Sequence, residues 1–364
     1  MEAHEEKRHF FTAVRDPMAE HIVTEALMKF SAEISSTEGL SECSVLLGGG
    51  YGRGEGGVCH EADGSVHLYN DLDVFVFLPN GSAKEIAAMD RRLKSIGAAM
   101  GEKLGIDVDV AMPRLYRDIP KVSQTLMYQE LLRGHVIIFG KDILSRFVPA
   151  LNADQLPWLE AVRLLLNRGM GLLFAGEHLH ANSSDHDFII RNLHKAALGS
   201  GDAILLASRL YQWTAMERQS AFQKLCDQRQ WPTDYKRAYE EGIRFKFRPH
   251  RQLPSQPWKS WLSVCRFWLD AVCIILGLPF RSEAPVVSEA LHRQCHAHGN
   301  RTFREAVRWL LRMRSLGPGG LSRLADAPVC RLLDTLYRQF LSAVFTQSYP
   351  VRNSTLYSGW LVFN

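Results

Sequence analysis

Four aspartates stand in two D-x-D pairs, Asp71 with Asp73 and Asp107 with Asp109. In an extended strand, residues two apart project to the same face, so each pair presents both of its carboxylates to one side. Carboxylate oxygens gathered in this way are hard ligands for Mg2+ or Mn2+. Without a cation they repel one another and resist desolvation, which makes a structural role for Asp71 and Asp73, on an otherwise apolar strand, a poor explanation. Three carboxylates around two ions would clamp the attacking and leaving oxygens of an in-line phosphoryl transfer. Asp71 and Asp73 would supply two of the three, and Asp109 or Asp107 the other.

Upstream lies Gly48-Gly-Gly-Tyr-Gly-Arg-Gly-Glu-Gly-Gly57, far richer in glycine than an ordinary turn requires. Glycine lets backbone N–H groups approach a ligand closely, and successive N–H groups in such a turn form a concavity suited to phosphate. The absence of G-K-[ST] excludes a Walker A loop. Gly52 to Gly57 formally matches G-x-G-x-x-G, but a dinucleotide fold needs a helix directly afterwards. Here Val58 to Tyr69 alternates like a hairpin about Asp63-Gly64.

Positioning these groups requires a small sheet. Apolar spacing predicts a helix from Met18 to Ile34, then a short strand Val45 to Leu47 running into the glycines. Leu72 to Leu78, β-branched and aromatic and closed by Pro79-Asn80-Gly81, reads as the strand carrying the first acid pair. Ser82 and Glu85 have capping-box spacing for a helix to about Leu104, after which Ile106 to Met112 reads as the strand carrying the second pair. From Pro157 onward the pattern is helical, over Leu159–Phe174, Phe188–Tyr211, Trp258–Leu276, Thr302–Leu316 and Val329–Phe345. The Pro-rich stretch from Pro249 to Pro257 reads as a hinge or a loop. The expected fold class is α+β, a small mixed sheet flanked by helices over residues 1–150, followed by an all-α domain over 151–364.

Charge divides at the same point. Residues 1–150 carry 16 Lys/Arg against 22 Asp/Glu, whereas 151–364 carry 27 against 17. An acidic part that holds cations, joined to a basic part that supplies charge to a polyphosphate, fits this asymmetry. Of those 27 basic residues 22 are arginine, which suits bidentate phosphate recognition and favours a polyanionic acceptor. The longest apolar run, Trp261 to Phe280, contains Arg266 and Asp270 and reads as a buried helix rather than a membrane span. The first residues lack the apolar core of a secretory signal, so a cytoplasmic location is expected. Seven scattered cysteines without a C-x-x-C pair are expected to be reduced thiols. His292, Cys295, His296 and His298 lack a second ligand pair at structural-zinc spacing.

The glycine turn followed by Asn70-Asp-Leu-Asp73 resembles the DNA polymerase β-like nucleotidyltransferase superfamily, whose signature is a strand, a Gly-Gly or Gly-Ser turn and D-x-D on the next strand. Gly49 to Glu55 is similar to the active-site loop of bacterial protein uridylyltransferases. The likeness covers roughly residues 40–145, including Leu131 to Gly140, which looks like the strand after the catalytic core. It implies an enzyme that moves a nucleoside monophosphate from a triphosphate, ATP among them, to a hydroxyl. Gly49 and Gly50 would bind the triphosphate through their backbone, with Tyr51 and Arg53 beside them. Asp71, Asp73 and Asp109 would be the catalytic and metal-binding acids around two Mg2+ ions, or Mn2+. Asp109 would accept the proton of the attacking hydroxyl, with Asp107 the alternative. Two departures stand out: the span from Gly50 to Asp71 is longer than usual by around ten residues, which the Val58–Tyr69 hairpin absorbs, and Tyr51 replaces a frequent Ser.

The helical part resembles, loosely, the accessory domains of small-molecule nucleotidyltransferases, and Lys195 within it would reach the triphosphate. Asp202 is an acid on that same apolar pattern. The acceptor is left as a small molecule, a protein or an RNA end, with no stable DNA binding expected. A non-catalytic nucleotide sensor of the same fold is the alternative.

Overall fold

Asp16, in extended backbone, accepts hydrogen bonds from the N–H groups of Met18 and Ala19 and so starts α1 (Pro17–Ser35), with proline at the first helical position where its missing N–H costs nothing. One stripe of α1, including Val23, Leu27, Phe30 and Ile34, is buried. In the computed structural model, which describes residues 9–298, 328–349, 356–357 and 360, the chain divides into two compact units. The first comprises Met1–Asn152 with Arg244–His250, and the second Ala153–Ile243 with Arg251–Asn364.

In the first unit α1 is followed by β1 (Ser44–Leu47), the single-turn α2 (Gly49–Gly52), β2 (Val58–His60), β3 (Val66–Leu68), β4 (Leu72–Leu78) and α3 (Ala83–Leu104). Then come β5 (Val108–Val110), β6 (Arg114–Leu115), α4 (Leu126–Arg133), β7 (Val136–Phe139) and α5 (Leu144–Phe147). The main sheet runs β5-β4-β1-β7, with β6 also paired to β4. It is mixed: β1 is antiparallel to β4 and β7, whereas β4 is parallel to β5 and β6. The predicted hairpin forms as β2 and β3, which pair Val58 with Leu68 and His60 with Val66.

β4 runs almost wholly buried through this sheet, and its period-two alternation builds both sides of the core. Val74, Val76 and Leu78 pack with Phe30, Ile34 and Leu93, from α1 and α3. Phe75 and Phe77 pack on the opposite face with Tyr128 and Leu131, from α4. Asp71 and Asp73 continue the row of Phe75 and Phe77, beyond the end that α4 covers. α3 begins with both halves of a capping box, Glu85 N–H to Ser82 Oγ at 3.3 Å and Ser82 N–H to Glu85 Oε2 at 2.7 Å. The strand expected over Ile106–Met112 is shorter, Val108–Val110, although the backbone bonds Leu72 N–H to Asp107 O and Ala111 N–H to Val74 O extend its ladder at both ends. In Leu131–Gly140, the first residues finish α4 and only Val136–Phe139 form a strand.

The second unit is built of helices: α6 (Trp158–His180), α7 (His186–Ala207), α8 (Ala215–Arg229), most of α9 (Thr233–Phe247), α10 (Pro257–Ile275), α11 (Ala284–His298) and α12 (Pro328–Thr346). Residues 248–256 link α9 to α10 without regular structure. Trp261 and Trp268 of α10 are fully buried, and their indole N–H groups donate to the carbonyls of Leu172 and Leu165 at 2.7 and 2.9 Å. The Thr302–Leu316 helix expectation lies outside the described residues. No described helix is long and apolar enough to cross a membrane. One expectation is corrected: Cys295 and Cys330 are joined in a disulfide between α11 and α12, while the other five cysteines are free and buried. Residues 35 apart were brought together by helix packing, which sequence spacing does not reveal.

Candidate active site

The glycine turn is fixed to β4 at the start. Gly48 N–H donates to Asp73 O at 2.8 Å, so the turn leaves β1 alongside the acid-bearing strand. Gly49 has φ +61°, and a Cβ there would strike the Asp73 carboxylate, so only glycine lets the chain pass so near that side chain. The turn closes through Gly52 N–H to Gly48 O and Glu55 N–H to Gly50 O, both 2.8 Å. N–H groups at the start of such a turn have no intrahelical acceptor.

Tyr51, expected beside the nucleotide, is fully buried. Its hydroxyl donates to Gly57 O at 2.8 Å and accepts from Tyr69 N–H at 3.1 Å, and burial raises its pKa well above the ordinary tyrosine value. The first contact closes the glycine-rich stretch on itself and the second ties it to the segment before Asp71. Asn70 Oδ1 adds a second such tie by accepting Gly57 N–H at 2.7 Å.

Arg53 is held within the fold. Its Nη1 lies 3.1 Å from Glu130 Oε2 and its Nε 3.8 Å from Glu55 Oε2. Glu55 also takes Lys246 Nζ at 2.9 Å, so two cations and two carboxylates alternate beneath the turn. None of Glu55, Glu130 and Lys246 stood out in the sequence. Glu55 carried a weak signal as the acid among the glycines, whereas Lys246 carried none, being 191 residues away.

The carboxylates meet through strand register. Asp73 of β4 lies directly opposite Asp109 of β5 in a parallel pair, with Leu72 opposite Val108 and Val74 opposite Val110. Opposed residues of a parallel pair share a face, so Asp109 joins Asp71 and Asp73 on one side of the sheet. The same register extended by one residue sets Asp107 against Asp71. Asp71 and Asp73 are half-buried, while Asp107 and Asp109 are exposed.

Among the described residues, no three His, Cys, Asp or Glu side chains already converge as a ligand cluster. The donor set nevertheless suits a hard divalent ion, being all oxygen, and Asp73 and Asp109 are like charges set across from one another that a cation would reconcile. Gly49, lacking a Cβ, leaves the side of Asp73 open.

Lys195 lies half-buried on α7 in the second unit. Asp202, on the same helix, has a structural setting: it is buried, accepts the Tyr239 hydroxyl and lies 3.1 Å from Arg218 Nε. No family model, curated protein or solved structure matched the chain.

Proposed function

We propose that this chain is a magnesium-dependent nucleotidyltransferase, transferring a nucleoside monophosphate from a triphosphate to a hydroxyl acceptor with release of pyrophosphate. The observation that carries this reading is the apposition of Asp73 and Asp109 across β4 and β5, with Gly49 against the Asp73 carboxylate. It supports a turn whose backbone would bind the polyphosphate next to acids that would hold the cations a triphosphate brings.

In this scheme Asp71 and Asp73 would hold the ions, and Asp109 would be the third ligand and accept the proton of the acceptor hydroxyl. Bound Mg2+ supplies charge neutralisation at the reacting phosphoryl oxygens. The N–H groups of Gly49, Gly50 and Tyr51 orient the polyphosphate. Arg53, held by Glu130 and Glu55, contributes fixed positive charge under the turn. Lys195 is assigned to the triphosphate only through the family likeness.

A non-catalytic nucleotide sensor is the second reading, favoured by the lack of a ready-made three-ligand cluster among the described residues. Pyrophosphate release from each of the four ribonucleoside triphosphates, with Mg2+ and cell extract as acceptor source, separates the two. Transfer predicts release that disappears in the Asp71→Ala/Asp73→Ala double variant. Tight Mg2+-dependent binding without release would establish the sensor, and no binding at all would remove the nucleotide from both readings.

A further inference from the structure

The segment Arg244–His250 belongs with the first unit although it lies far along the chain. Phe245 stands edge-on to Tyr69, with ring centroids 5.5 Å apart, and a side chain at Gly57 would collide with the Lys246 carbonyl. So seated, Lys246 approaches Glu55 at two points, Nζ to Oε2 at 2.9 Å and Nζ to the backbone O at 3.2 Å. The two side chains are only 15% and 11% exposed, so water screens this pair weakly. Glu55 N–H is itself bonded to Gly50 O. Both backbone polar groups of Glu55 are therefore held, its carbonyl by the Lys246 ammonium and its N–H by Gly50 of the glycine turn.

From this geometry we infer that Lys246 is a positioning residue for the nucleotide site, resting on the function proposed above: it clamps Glu55, fixes the path of Gly49–Glu55 and keeps Arg53 shared with Glu130. Charge counting gives the same direction. Arg53 and Lys246 balance Glu55 and Glu130. Loss of the Lys246 charge leaves a net negative charge beneath a turn that must accept an anion, and draws Arg53 toward Glu55.

The test uses the full chain and four variants: Lys246→Met, Lys246→Arg, Glu55→Gln, and Lys246→Met with Glu55→Gln. Amide hydrogen exchange over residues 49–55 is measured without nucleotide, and affinity for ATP with Mg2+ is measured in parallel. Lys246→Met should speed exchange in the turn and weaken nucleotide binding by about tenfold, Lys246→Arg should stay near wild type, and the double variant should lose less than the two single losses combined. If Lys246 instead touched the triphosphate, exchange would be unchanged and the losses would add, which would overturn the clamp. If wild type binds no nucleotide, the proposed function falls, while the exchange data still decide whether Lys246 holds the turn. Should Lys246→Met fail to fold, Glu55→Gln alone decides: faster exchange confined to the turn supports the clamp, and unchanged exchange overturns it.

Discussion

Asp73 and Asp109 face each other across neighbouring parallel strands, on the side of the sheet that also carries Asp71, with Gly49 against the Asp73 carboxylate. Opposed like charges destabilise a strand pair by a few tenths of a kcal/mol up to about 1. Such an arrangement opposes folding, and on the proposed function it makes the metal-free protein a measurable reporter of the site.

Asp73→Asn should therefore act with opposite signs on stability and function. In EDTA the variant should melt slightly higher than wild type, by the equivalent of about 0.5 kcal/mol, because one of the opposed charges is gone. With Mg2+ in excess, wild type should gain in melting temperature and the variant should not. Nucleotidyl transfer should fall by about a hundredfold or more, the several kcal/mol that charge stabilisation by a metal supplies. Thermal melts with and without Mg2+, together with pyrophosphate release, check all three; equal Mg2+ shifts in both proteins would remove Asp73 from the metal site.

Gly49→Ala combines two penalties that a control can separate. At φ +61° a Cβ costs roughly 1 kcal/mol, and here it would also push against Asp73. Gly64, at φ +84° in the β2–β3 hairpin, has nothing within 4 Å of where its Cβ would lie. Gly64→Ala should thus show the backbone cost alone and keep nucleotide affinity. Gly49→Ala should cost about 1–3 kcal/mol in urea unfolding and abolish measurable binding. Equal behaviour of the two variants would mean that the contact between Gly49 and Asp73 does not matter.

Much of the site framework was legible because it depends on local pattern. β4 announced itself by its β-branched and aromatic residues closed by Pro79-Asn80-Gly81, α3 by its capping box, and the hairpin by Asp63-Gly64 between alternating segments. Register could not be read in this way. Asp109 meets Asp73 only because β5 returns parallel after α3 and slots Val108 against Leu72. The enclosure of the Tyr51 ring and the bonds of its hydroxyl to two backbone groups were not legible, because they depend on how the glycine stretch folds back on itself and on Tyr69. α8 and α9 escaped notice because their sequences are largely polar, and their buried stripes, Ala215, Phe222, Leu225 and Cys226 in one and Tyr235, Tyr239 and Ile243 in the other, are sparse. Lys246 could not be found at all, because its partner comes from chain folding rather than from its neighbours.

Asp16 predicts how α1 responds to acid. Its bond from Ala19 N–H, with further help from His60 and Met18 N–H, outweighs partial burial and holds its pKa below the ordinary aspartate value. A carboxylate depressed in the fold contributes stability above its unfolded pKa, and loses it as pH falls through the folded one. Asp16→Ala should therefore cost about 1 kcal/mol near neutral pH, as expected for a helix N-cap, with the difference from wild type shrinking progressively below pH ~4. Urea unfolding of both proteins from pH 7 to pH 3 measures it, and a difference that stays constant across that range would mean that the charge on Asp16 contributes nothing.

The Cys295–Cys330 bridge gives a count that needs no functional assay. Purified without reductant and then denatured, the chain should titrate as five thiols, corresponding to Cys43, Cys59, Cys226, Cys265 and Cys273, and as seven after reduction. In the native protein those five are buried and should react slowly with a thiol reagent. The bridge joins residues 35 apart in sequence, and its loss should cost about 4 kcal/mol on a loop-closure argument. Cys330→Ser should accordingly lower the thermal midpoint of oxidised protein while leaving that of reduced protein nearly unchanged. Seven thiols in the unreduced sample, with no difference between Cys330→Ser and wild type, would return α11 and α12 to the simpler expectation of packing alone.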